Sequence, residues 1–530
     1  MRGLSTLLNF ANCVLFRSYN TSCGAYFIGN LRISTENRNN CFHQKVLKWP
    51  NISFLKMKVL LVQPTDKTSN YSPKRPVLWA AYVSATLKKE GHDVKFFDCR
   101  LKEFNDVEFK ELLKSYNPDF VCFSIVALTH DCTFRYMKYV RELLDAKIIA
   151  GGPEVTTFPE DFLKLKLINF IFIGAADISF PKFLRLNGKN EELQGIGGFG
   201  YKENDKIHIN KKAEVYNIDD VPFPDWDIFT LSSYKKNVSR IEFPIQSARG
   251  CPHNCIFCSV PSIVPSYRMR SAKNVVDELE LIHKKYGTKK FQFQDDNFGM
   301  SKQRTLEICD EIIKRGLKIK WSVAQGFTAQ SGSYEVFKKM KEAGCTTVGI
   351  GVESTDPEVL KFVRKPASLQ QLKDAFINAK KAGITTKGFF IVGLPGSTYE
   401  KEMKNIDFFK EVKIDIPRFG NVMTYPKTEL MDWVKKNAKS LIDFDEARNV
   451  TSENVASSVD TDMLIKPVFE TDDFSSEDRM KAFNKCNEEA EKWALNNLFG
   501  KFVGPVAYKF SRVKFIRDIG EKVLDLMGGI

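Results

Sequence analysis

At 530 residues the chain is too long to fold around one hydrophobic core, and we expect about three structural units. Its longest apolar run, residues 168–176, is shorter than the roughly 18 residues of a membrane-spanning helix, which argues against an integral membrane protein. The formal net charge of +14 would suggest nucleic-acid binding if it were spread evenly, but it is concentrated in part at the start of the chain. Seven Lys and Arg against one Glu give residues 1–56 a net charge of +6, so the rest is modestly basic and we expect no nucleic-acid partner.

The first segment, residues 1–56, is rich in Asn and Ser and has no periodic apolar face. Three interpretations are open: an Arg-containing, acid-poor transit peptide, a disordered extension, or an upstream stretch included by a wrong start codon. We expect the third, with Met57 as the true start, because a clean strand pattern begins directly after it.

Residues 57–190 alternate predicted strands with predicted helices. The strands are continuous apolar runs and the helices are amphipathic, a pattern typical of a parallel sheet covered on both faces. Predicted strands cover residues 59–62, 93–97, 120–125, 147–150 and 170–173, and predicted helices cover residues 77–89, 107–114 and 131–144. The sequence therefore predicts an α/β fold that starts with a doubly wound (Rossmann-like) domain, whose ligand lies at the carboxyl ends of the strands.

Two turns of this domain resemble those of a cobalamin-binding (B12-binding) domain. Ser124 begins the turn S-I-V after the third strand, and Gly151 and Gly152 follow the fourth, where that family has S-x-L and G-G. The resemblance implies that these three residues contact cobalamin. Residues 63–70 hold no histidine, so the resemblance is to members that bind cobalamin with its base detached and without a protein imidazole. A plain strand-to-helix turn at the two glycines is the alternative.

Residues 191–240 are predicted to form a connector, because polar and proline-punctuated stretches there continue neither helix nor strand. Residues 241–430 then repeat a strand-and-helix pattern, which predicts a partial (β/α)6 barrel with its chemistry at the carboxyl ends of the strands. Predicted strands cover residues 241–247, 290–294, 318–323, 346–352, 385–392 and 418–424, and predicted helices cover residues 272–286, 302–314, 334–342, 369–381 and 399–410. Asp356 before Pro357 predicts one helix start, and Ser368 opens a predicted capping box at another.

Three cysteines stand close together after the first predicted barrel strand. Cys251, Cys255 and Cys258 have the spacing C-x-x-x-C-x-x-C, which can surround one side of a cubane iron–sulfur cluster and leave one iron without a protein ligand. A structural zinc site would need a fourth ligand, and His253 is poorly placed to supply it between two of the cysteines. Disulfides are disfavoured because the other nine cysteines are scattered singly, so we expect a reduced, cytoplasmic protein.

The cysteine spacing and three later loops together resemble the radical S-adenosylmethionine (SAM) family over residues 241–430. The loops follow the second, fourth and fifth predicted barrel strands. A [4Fe–4S] cluster and SAM are the cofactors of this family, so the resemblance implies that the three cysteines bind the cluster. It also implies SAM contacts, namely Asp295, Asp296 and Asn297 with the amino group, Glu353 with the ribose or amino group, and Ile391 and Gly393 with adenine. Singly, each loop also fits an ordinary turn or a salt-bridged strand end; their order after the cysteines carries the resemblance.

Three further segments bear on the site. Residues 267–271 resemble the segment after the cluster loop in cobalamin-type members, where an arginine faces the SAM carboxylate. Lys427 stands where relatives often have glycine. The tail, residues 431–530, is predicted to be mostly helical, and near its end apolar residues alternate with Lys and Arg. That pattern favours a helix packed on the barrel with a solvated basic face, or else peripheral contact with an anionic membrane.

The order of a doubly wound domain and a radical SAM barrel implies an enzyme that uses a [4Fe–4S] cluster, SAM and cobalamin. Cobalamin-dependent C-methylation of an unactivated carbon in a small-molecule or lipid substrate is the expected reaction, with a reductant such as ferredoxin or flavodoxin. The alternatives are a ring-forming cyclase acting on a porphyrin or lipid, a tRNA methylthiotransferase, and a non-catalytic cobalamin or metal sensor. A methylthiotransferase would need three further cluster cysteines, and Cys99, Cys122 and Cys132 lack that spacing. A sensor would have no use for the SAM loops.

Overall fold

The computed structural model of the chain describes residues 56–65, 75–101, 104–126, 129–186, 193–211, 214, 216–235, 238–323, 326–442 and 466–511. These residues form an α/β domain, a barrel and a helical C-terminal region. The interpretations of the N-terminal extension, of residues 66–70 as a loop without histidine, and of the last basic residues of the tail fall outside the described residues.

The α/β domain is built on a seven-stranded sheet. Its strands are β1 (Lys58–Gln63), β2 (Asp93–Asp98), β3 (Phe120–Ser124), β4 (Lys147–Gly151), β5 (Phe170–Phe172), β6 (Phe199–Glu203) and β7 (Lys206–Ile209). The spatial order is β2-β1-β3-β4-β5-β6-β7, and the first five strands are parallel. Its helices are α1 (Leu78–Lys89), α2 (Asp106–Tyr116), α3 (His130–Leu143), α4 (Pro153–Thr157), α5 (Pro159–Lys164) and α6 (Ser179–Arg185). The predicted doubly wound fold is confirmed.

Apolar side chains bury both faces of this sheet. On β1, Val59 and Leu61 belong to the core on one face, whereas Leu60 and Val62 belong to the core on the other. A parallel sheet with helices on both faces requires such continuous apolar strands. Because both faces are covered, the edge formed by the carboxyl ends of the strands is left for a ligand.

Strands β6 and β7 lie in the segment predicted to be a connector, and for residues 199–209 the expectation of irregular structure was wrong. The two strands pair antiparallel with each other, and β6 pairs antiparallel with β5, so the hairpin extends the sheet. Asn204 and Asp205 form its turn with φ values of 47° and 63°. Two consecutive left-handed residues give the twist that a tight hairpin needs.

The barrel is a six-stranded parallel sheet. Its strands are β8 (Glu242–Ile245), β11 (Lys290–Phe293), β12 (Lys320–Val323), β13 (Cys345–Glu353), β14 (Thr385–Val392) and β15 (Ile416–Asn421), in the spatial order β15-β14-β13-β12-β11-β8. Two short strands, β9 (Ala248–Arg249) and β10 (Arg268–Met269), flank the cysteine loop and pair antiparallel. The helices are α7 (Leu231–Tyr234), α8 (Val260–Ile263), α9 (Ala272–Tyr286), α10 (Lys302–Lys314), α11 (Tyr334–Glu342), α12 (Pro357–Phe362), α13 (Leu369–Lys381) and α14 (Tyr399–Glu411). The predicted partial (β/α)6 barrel is confirmed.

Two helix starts in the barrel follow from local sequence, as predicted. Asp356 accepts hydrogen bonds from the N–H groups of Glu358 and Val359, with Pro357 at the first position of α12. Ser368 and the third residue of α13 form a reciprocal capping box. Such caps satisfy N–H groups that have no partner within the helix.

The C-terminal region packs against the barrel. It contains α15 (Glu429–Asn437), the short paired strands β16 (Lys439–Ser440) and β17 (Phe469–Glu470), and α16 (Ser476–Ser511), which is kinked at Gly500. In the part of the chain that the structure describes, no helix is both long enough and apolar enough to cross a membrane.

Candidate active site

The three cysteines lie on one loop at the carboxyl end of β8. The loop begins at Gly250, which has a φ of 78° and where a Cβ would lie 2.8 Å from the carbonyl oxygen of Ser266. Backbone hydrogen bonds fix its middle: Ile256 N–H donates to the carbonyl of Val363 (3.3 Å), and the Ile256 carbonyl accepts from Leu430 N–H (2.9 Å). All three thiols are free and half-buried. Backbone contacts with the barrel and with the start of the C-terminal region therefore fix the middle of the loop.

Burial holds at least two of these thiols in the protonated form at neutral pH. It raises the pKa of Cys255 to about 11; the Lys365 ammonium opposes the rise, and Glu353 and the neighbouring thiols add to it. Burial also raises the pKa of Cys258. Thiols of this kind release their protons when they bind a metal. Metal binding at Cys255 and Cys258 would therefore release protons.

The loop supplies three thiols as metal donors. Within the described residues, no group of three or more His, Cys, Asp or Glu side chains is arranged to hold one metal ion. In a cubane cluster each thiolate binds a different iron atom. Three thiolates on one loop therefore suit a cubane cluster with one iron left without a protein ligand.

The loop after β11 packs directly on the cysteine loop. Asp296 accepts a hydrogen bond from Gly250 N–H (3.0 Å), and Asn297 Nδ2 donates to Cys251 Sγ (3.7 Å). Asp296 is exposed and Asn297 is half-buried, so both present oxygen acceptors beside the thiols. Acceptors of this type suit an ammonium group.

Asp295, the first acid of that loop, is used differently. It is 1% exposed, and its carboxylate accepts hydrogen bonds from both the N–H (2.6 Å) and the hydroxyl of Ser247. Burial raises its pKa, although the Ser247 hydrogen bonds and the charge of Arg304 oppose the rise. Asp295 therefore fastens the loop after β11 to the segment before the cysteines, and its carboxylate does not face an open site.

Glu353 ends β13 beside the cysteine loop and is paired. Lys365 Nζ lies 2.8 Å from Glu353 Oε1, and the two side chains are 15% and 12% exposed, respectively. Glu353 has a φ of 65°, and the register of β13 on β14 shifts next to it. A Cβ on Gly351 would lie 2.3 Å from Glu353 Oε1, so glycine at that position makes room for the pair. Both charges influence the pKa of Cys255, which places the pair next to the thiols.

In the loop after β14, both the backbone N–H and the backbone carbonyl of Gly393 are bound by side chains. Gly393, with a φ of 87°, donates its N–H to Glu402 Oε1 (2.9 Å), and its carbonyl accepts from Arg479 of α16 (2.5 Å). Glu402 and Arg479 are each 1% exposed. Burial raises the pKa of Glu402 to about 7 and lowers the pKa of Arg479 to about 10. The backbone at Gly393 is therefore fixed by two buried ionisable side chains.

Ile391 lies two residues before Gly393 and is half-buried. It packs in a small apolar cluster that also contains Ile256 of the cysteine loop. The structure thus brings the carboxyl ends of β8, β11, β13 and β14 to one end of the barrel, and every barrel residue predicted to bind the cluster or SAM lies at one of these strand ends or in the loop that follows it.

The predicted cobalamin contacts meet at the carboxyl edge of the other sheet. Ser124 and Gly151 are partners in the register of β3 and β4. Gly152 has a φ of 98°, and a Cβ there would lie 2.7 Å from the backbone nitrogen of Ile125 and 3.0 Å from Ser124 Oγ. The loops after β3 and β4 therefore approach so closely that only glycine fits between them.

A cavity of about 560 Å³ separates the α/β domain from the cysteine loop segment of the barrel. Its walls include Thr156 of α4 and Gly174 of the loop after β5, and Ile263 and Arg268 after the cysteines. A Cβ on Gly174 would point across the gap, 3.8 Å from the Ile263 carbonyl oxygen. This volume lies within the range of small-molecule and cofactor sites, so it has room for a corrinoid edge. Ser124, Gly151 and Gly152 are not among its lining residues.

A buried ion pair joins the two sides of this cavity. Arg249, two residues before Cys251, pairs with Asp177, and the two side chains are 8% and 6% exposed. The guanidinium also donates to Tyr216 Oη (2.9 Å) and lies 4.9 Å from the ring centre of Tyr82. The position of the cysteine loop is thereby coupled to the α/β domain.

The segment after the cysteines differs in part from its expected role. Arg270 is 4% exposed and pairs with the buried Glu278, so it does not reach an open site. Arg268 lines the cavity, and its guanidinium lies 4.7 Å from the ring centre of Tyr216. Lys427 also lines the cavity and has a φ of 60°. A left-handed backbone of this kind favours glycine, so Lys427 is an unusual residue at this position.

Three residues of the site were not predicted from the sequence, namely Lys365, Glu402 and Arg479. Lys365 follows α12 in a loop that matches no motif. The other two stand within helices and look like ordinary surface charges, and Arg479 reaches Gly393 across 86 residues of sequence. Only the folded chain brings these groups to the loops.

Two family models match the chain. The Radical SAM superfamily model matches residues 245–409, and the B12 binding domain model matches residues 69–184. The first match contains the cysteine loop and the loops after β11, β13 and β14. The second contains Ser124, Gly151 and Gly152.

Individual proteins are similar over most of the chain. The Uncharacterized methyltransferase PH0819 of Pyrococcus horikoshii is 32% identical over 72% of this chain and 84% of its own length. Anaerobic magnesium-protoporphyrin IX monomethyl ester cyclase of Cereibacter sphaeroides is 25% identical over 74% of this chain and 66% of its own. The solved structure of the radical SAM methyltransferase TsrM from Kitasatospora setae, with cobalamin and a [4Fe-4S] cluster bound, has a TM-score of 0.59 at 18% identity, over 71% of this chain and 74% of that one. At that identity the likeness concerns the fold.

Proposed function

Because the chain belongs to the radical SAM superfamily and carries a B12-binding domain, we propose that it is a cobalamin-dependent methyltransferase acting on an unactivated carbon. One observation carries the proposal: the buried pair of Arg249 and Asp177 holds the cysteine loop and the α/β domain on either side of one cavity. Transfer of a methyl group between two cofactors and a substrate needs such proximity. The name of the Pyrococcus relative, a methyltransferase, supports the same reaction.

When bound, the [4Fe–4S] cluster supplies the electron that cleaves SAM to a 5'-deoxyadenosyl radical, and cobalamin supplies the methyl group. We assign Cys251, Cys255 and Cys258 to the cluster, with one iron left to SAM. The other groups assigned to SAM are the acceptors of Asp296 and Asn297, the carboxylate of Glu353, and the backbone from Ile391 to Gly393. Asp295 is assigned a positioning role, because its carboxylate is already bound by Ser247.

We assign Ser124, Gly151 and Gly152 to cobalamin, together with the glycine-lined wall of the cavity. In this assignment no histidine coordinates the metal, as the sequence after β1 suggests. The two protein walls would then exclude water from the reacting groups, which protects a radical from side reactions.

We further propose a small-molecule or lipid substrate and a reductant such as ferredoxin or flavodoxin, acting in the reducing environment of the cytoplasm. Nine described cysteines are free, which is consistent with that environment. The possible membrane contact through the last basic residues of the tail concerns residues outside the described part and stays a proposal.

Ring closure on a porphyrin is the second candidate, favoured by the similarity to the magnesium-protoporphyrin cyclase. Methylthiolation is less well supported. Cys122 belongs to the core on one face of the α/β sheet, and Cys99 and Cys132 belong to the core on the other. Three thiols separated by a sheet are poorly arranged to hold a second cluster.

The test is anaerobic reconstitution with iron, sulfide and cobalamin, followed by incubation of host-cell extract with SAM carrying a deuterated methyl group. We expect 5'-deoxyadenosine, S-adenosylhomocysteine and a product that contains the labelled methyl. A cyclase would release 5'-deoxyadenosine without a labelled product, which would contradict methylation.

Two variants serve as controls in the same assay. Cys255→Ala removes a proposed cluster ligand and should lose both the iron–sulfur absorbance and SAM cleavage. Cys309→Ala removes a buried thiol in α10, away from the site, and should retain both. Normal SAM cleavage by Cys255→Ala would rule out the assignment of the cluster.

A further inference from the structure

The interior of the barrel carries charged and polar side chains. On β14, the buried Phe390 packs against aromatic rings of β15 and α14, so its alternate neighbours Lys387 and Phe389 face the other way and are only partly buried. On β15, Phe419 packs toward the helices and Arg418 faces the interior. Enzyme barrels usually fill this region with branched apolar side chains. Here the interior is lined for a polar ligand.

The α/β domain contributes one more charge to this interior. Arg75, from the segment before α1, donates a hydrogen bond to Glu242 Oε2 of β8 (3.1 Å) and another to Gln292 of β11. These contacts place a guanidinium of one domain between two strands of the other. Glu242 is thereby neutralised by Arg75.

Lys387 and Arg418 have no such partner. In the described part of the chain, neither forms a hydrogen bond or ion pair through its side chain. Burial, and the positive charges of Arg418 and Arg75, lower the pKa of Lys387, while Glu242 alone raises it. In the register of β15 on β14, Arg418 lies opposite Phe389, two residues from Lys387. Together with the hydrogen-bonded Arg75 and Glu242, these residues are three cations and one carboxylate, with a net charge of +2. Arg418 is exposed, whereas Lys387 is partly buried without a partner, which is unfavourable until a counter-charge binds.

We infer that the substrate carries an anionic group, a carboxylate or a phosphate, that binds between Lys387 and Arg418. The inference rests on the proposed function, because it assigns the barrel interior to the substrate. A guanidinium and an ammonium are the side chains that recognise both anions.

The position of Lys387 separates this anion site from the two cofactors. Lys387 precedes Ile391 by four residues on the same strand, a distance of about 13 Å at the usual rise. The methionyl carboxylate of SAM belongs at the cysteine end, so it lies too far away. The cavity assigned to cobalamin has neither cation in its lining. Arg418 pairs with Phe389, two residues before Ile391, which is about 7 Å at the usual rise. The substrate is therefore an elongated molecule, with its anionic group about 7–13 Å below the adenine loop and its reacting carbon near the cofactors.

The test uses cluster-reconstituted, cobalamin-loaded enzyme with SAM present. Melting temperature is measured against increasing inorganic phosphate or acetate, with ionic strength held constant by sodium chloride. We expect a saturable rise with at least one anion. The half-saturating concentration should increase at least fivefold in Lys387→Gln and in Arg418→Gln. Lys404→Gln, which removes an exposed lysine on α14, is the matched control and should behave as the parent.

The two anions identify the chemical source: a response to phosphate indicates a phosphate ester, and a response to acetate indicates a carboxylate. Equal responses in all variants mean an adventitious ion only and overturn the inference, as does the lack of a response to both anions. SAM cleavage and cobalamin uptake, measured in the same parent preparation, report separately on the proposed function. Their failure beside a Lys387-dependent anion response would overturn the function and leave the anion site standing.

Discussion

Arg479 in the C-terminal helix donates a hydrogen bond to the carbonyl oxygen of Gly393, 86 residues earlier, at the end of a barrel strand. The same guanidinium donates to the carbonyl of Phe474 and lies 4.4 Å from the ring centre of Phe469. The C-terminal region thus holds the backbone of the loop that we assign to adenine.

We predict that Arg479→Met lowers the free energy of unfolding by about 3 kcal/mol, because two buried carbonyl groups lose their donor. The Gly393 loop should also lose its fixed position, so the Kd for SAM should rise while the cluster absorbance stays unchanged. Urea unfolding and equilibrium binding of SAM measure the two effects. Lys481→Met on the same helix removes only an exposed cation over Tyr399 and should cost less than about 1 kcal/mol. An unchanged Kd in Arg479→Met would contradict the positioning role.

Glu402 should make the stability of the protein depend on pH. Its pKa is raised to about 7 in the folded chain, above the ordinary 4.5, so the folded state binds a proton that the unfolded state has already released. Its contribution to stability is complete below about pH 4.5 and is lost as pH rises through about 7. We expect the parent to lose about 3 kcal/mol relative to Glu402→Gln over this interval, measured by urea unfolding at fixed pH values. Parallel pH profiles of the two proteins would show that Glu402 does not titrate in this range.

Lys365 should set the reduction potential of the cluster. Its ammonium lies near Cys255, and reduction adds negative charge to the cluster, so Lys365→Met should lower the potential in an EPR-monitored titration without SAM. The variant also leaves Glu353 without its partner and should cost about 3 kcal/mol of stability. In the double variant Lys365→Met, Glu353→Gln the net charge of the pair is restored, so the potential should return toward that of the parent. A potential that is the same in all three proteins would exclude the electrostatic role.

Gly152→Ala should reduce cobalamin uptake and stability. The added Cβ would meet the Ile125 backbone at 2.7 Å on a residue with a φ of 98°, a combined cost of about 2–4 kcal/mol. Gly91→Ala is the matched control, because Gly91 has a similar φ of 88° but nothing within 4 Å of a built Cβ. It should cost about 1 kcal/mol and leave uptake unchanged. Uptake is measured by the corrinoid absorbance retained after gel filtration, and equal uptake by both variants would remove Gly152 from the site.

The sequence predicted those parts of the fold that depend on local pattern. Continuous apolar strands such as Val59–Val62 can only be buried on both faces, and the caps at Asp356 and Ser368 follow from residue chemistry. The hairpin at residues 199–209 was missed because its strands are short and partly polar. The sequence signal for this hairpin was the pair Asn204-Asp205, because both residues tolerate the left-handed backbone that they adopt in its turn.

Within the site, the loops could be predicted from the sequence, but the side chains that hold those loops in place could not. The cysteine spacing and the loop order are sequence features, whereas the contacts of Glu402, Arg479 and Lys365 arise from packing between distant segments. Asp295 illustrates the limit. It stands in the right loop, yet its carboxylate is taken by Ser247, and nothing in the order of residues distinguishes it from Asp296.

The ion pair of Arg249 and Asp177 has a consequence for how such proteins can recombine. Asp177 lies inside the segment that matches the B12 binding domain, and Arg249 lies inside the segment that matches the radical SAM superfamily. A barrel joined to a different partner domain would keep the buried Arg249 guanidinium two residues before Cys251 and lose its counter-charge, a cost of about 3–5 kcal/mol. Exchange of the partner therefore requires a new acid at the same point in space. The two matched segments are separate in the sequence, but in the folded chain this buried ion pair joins them.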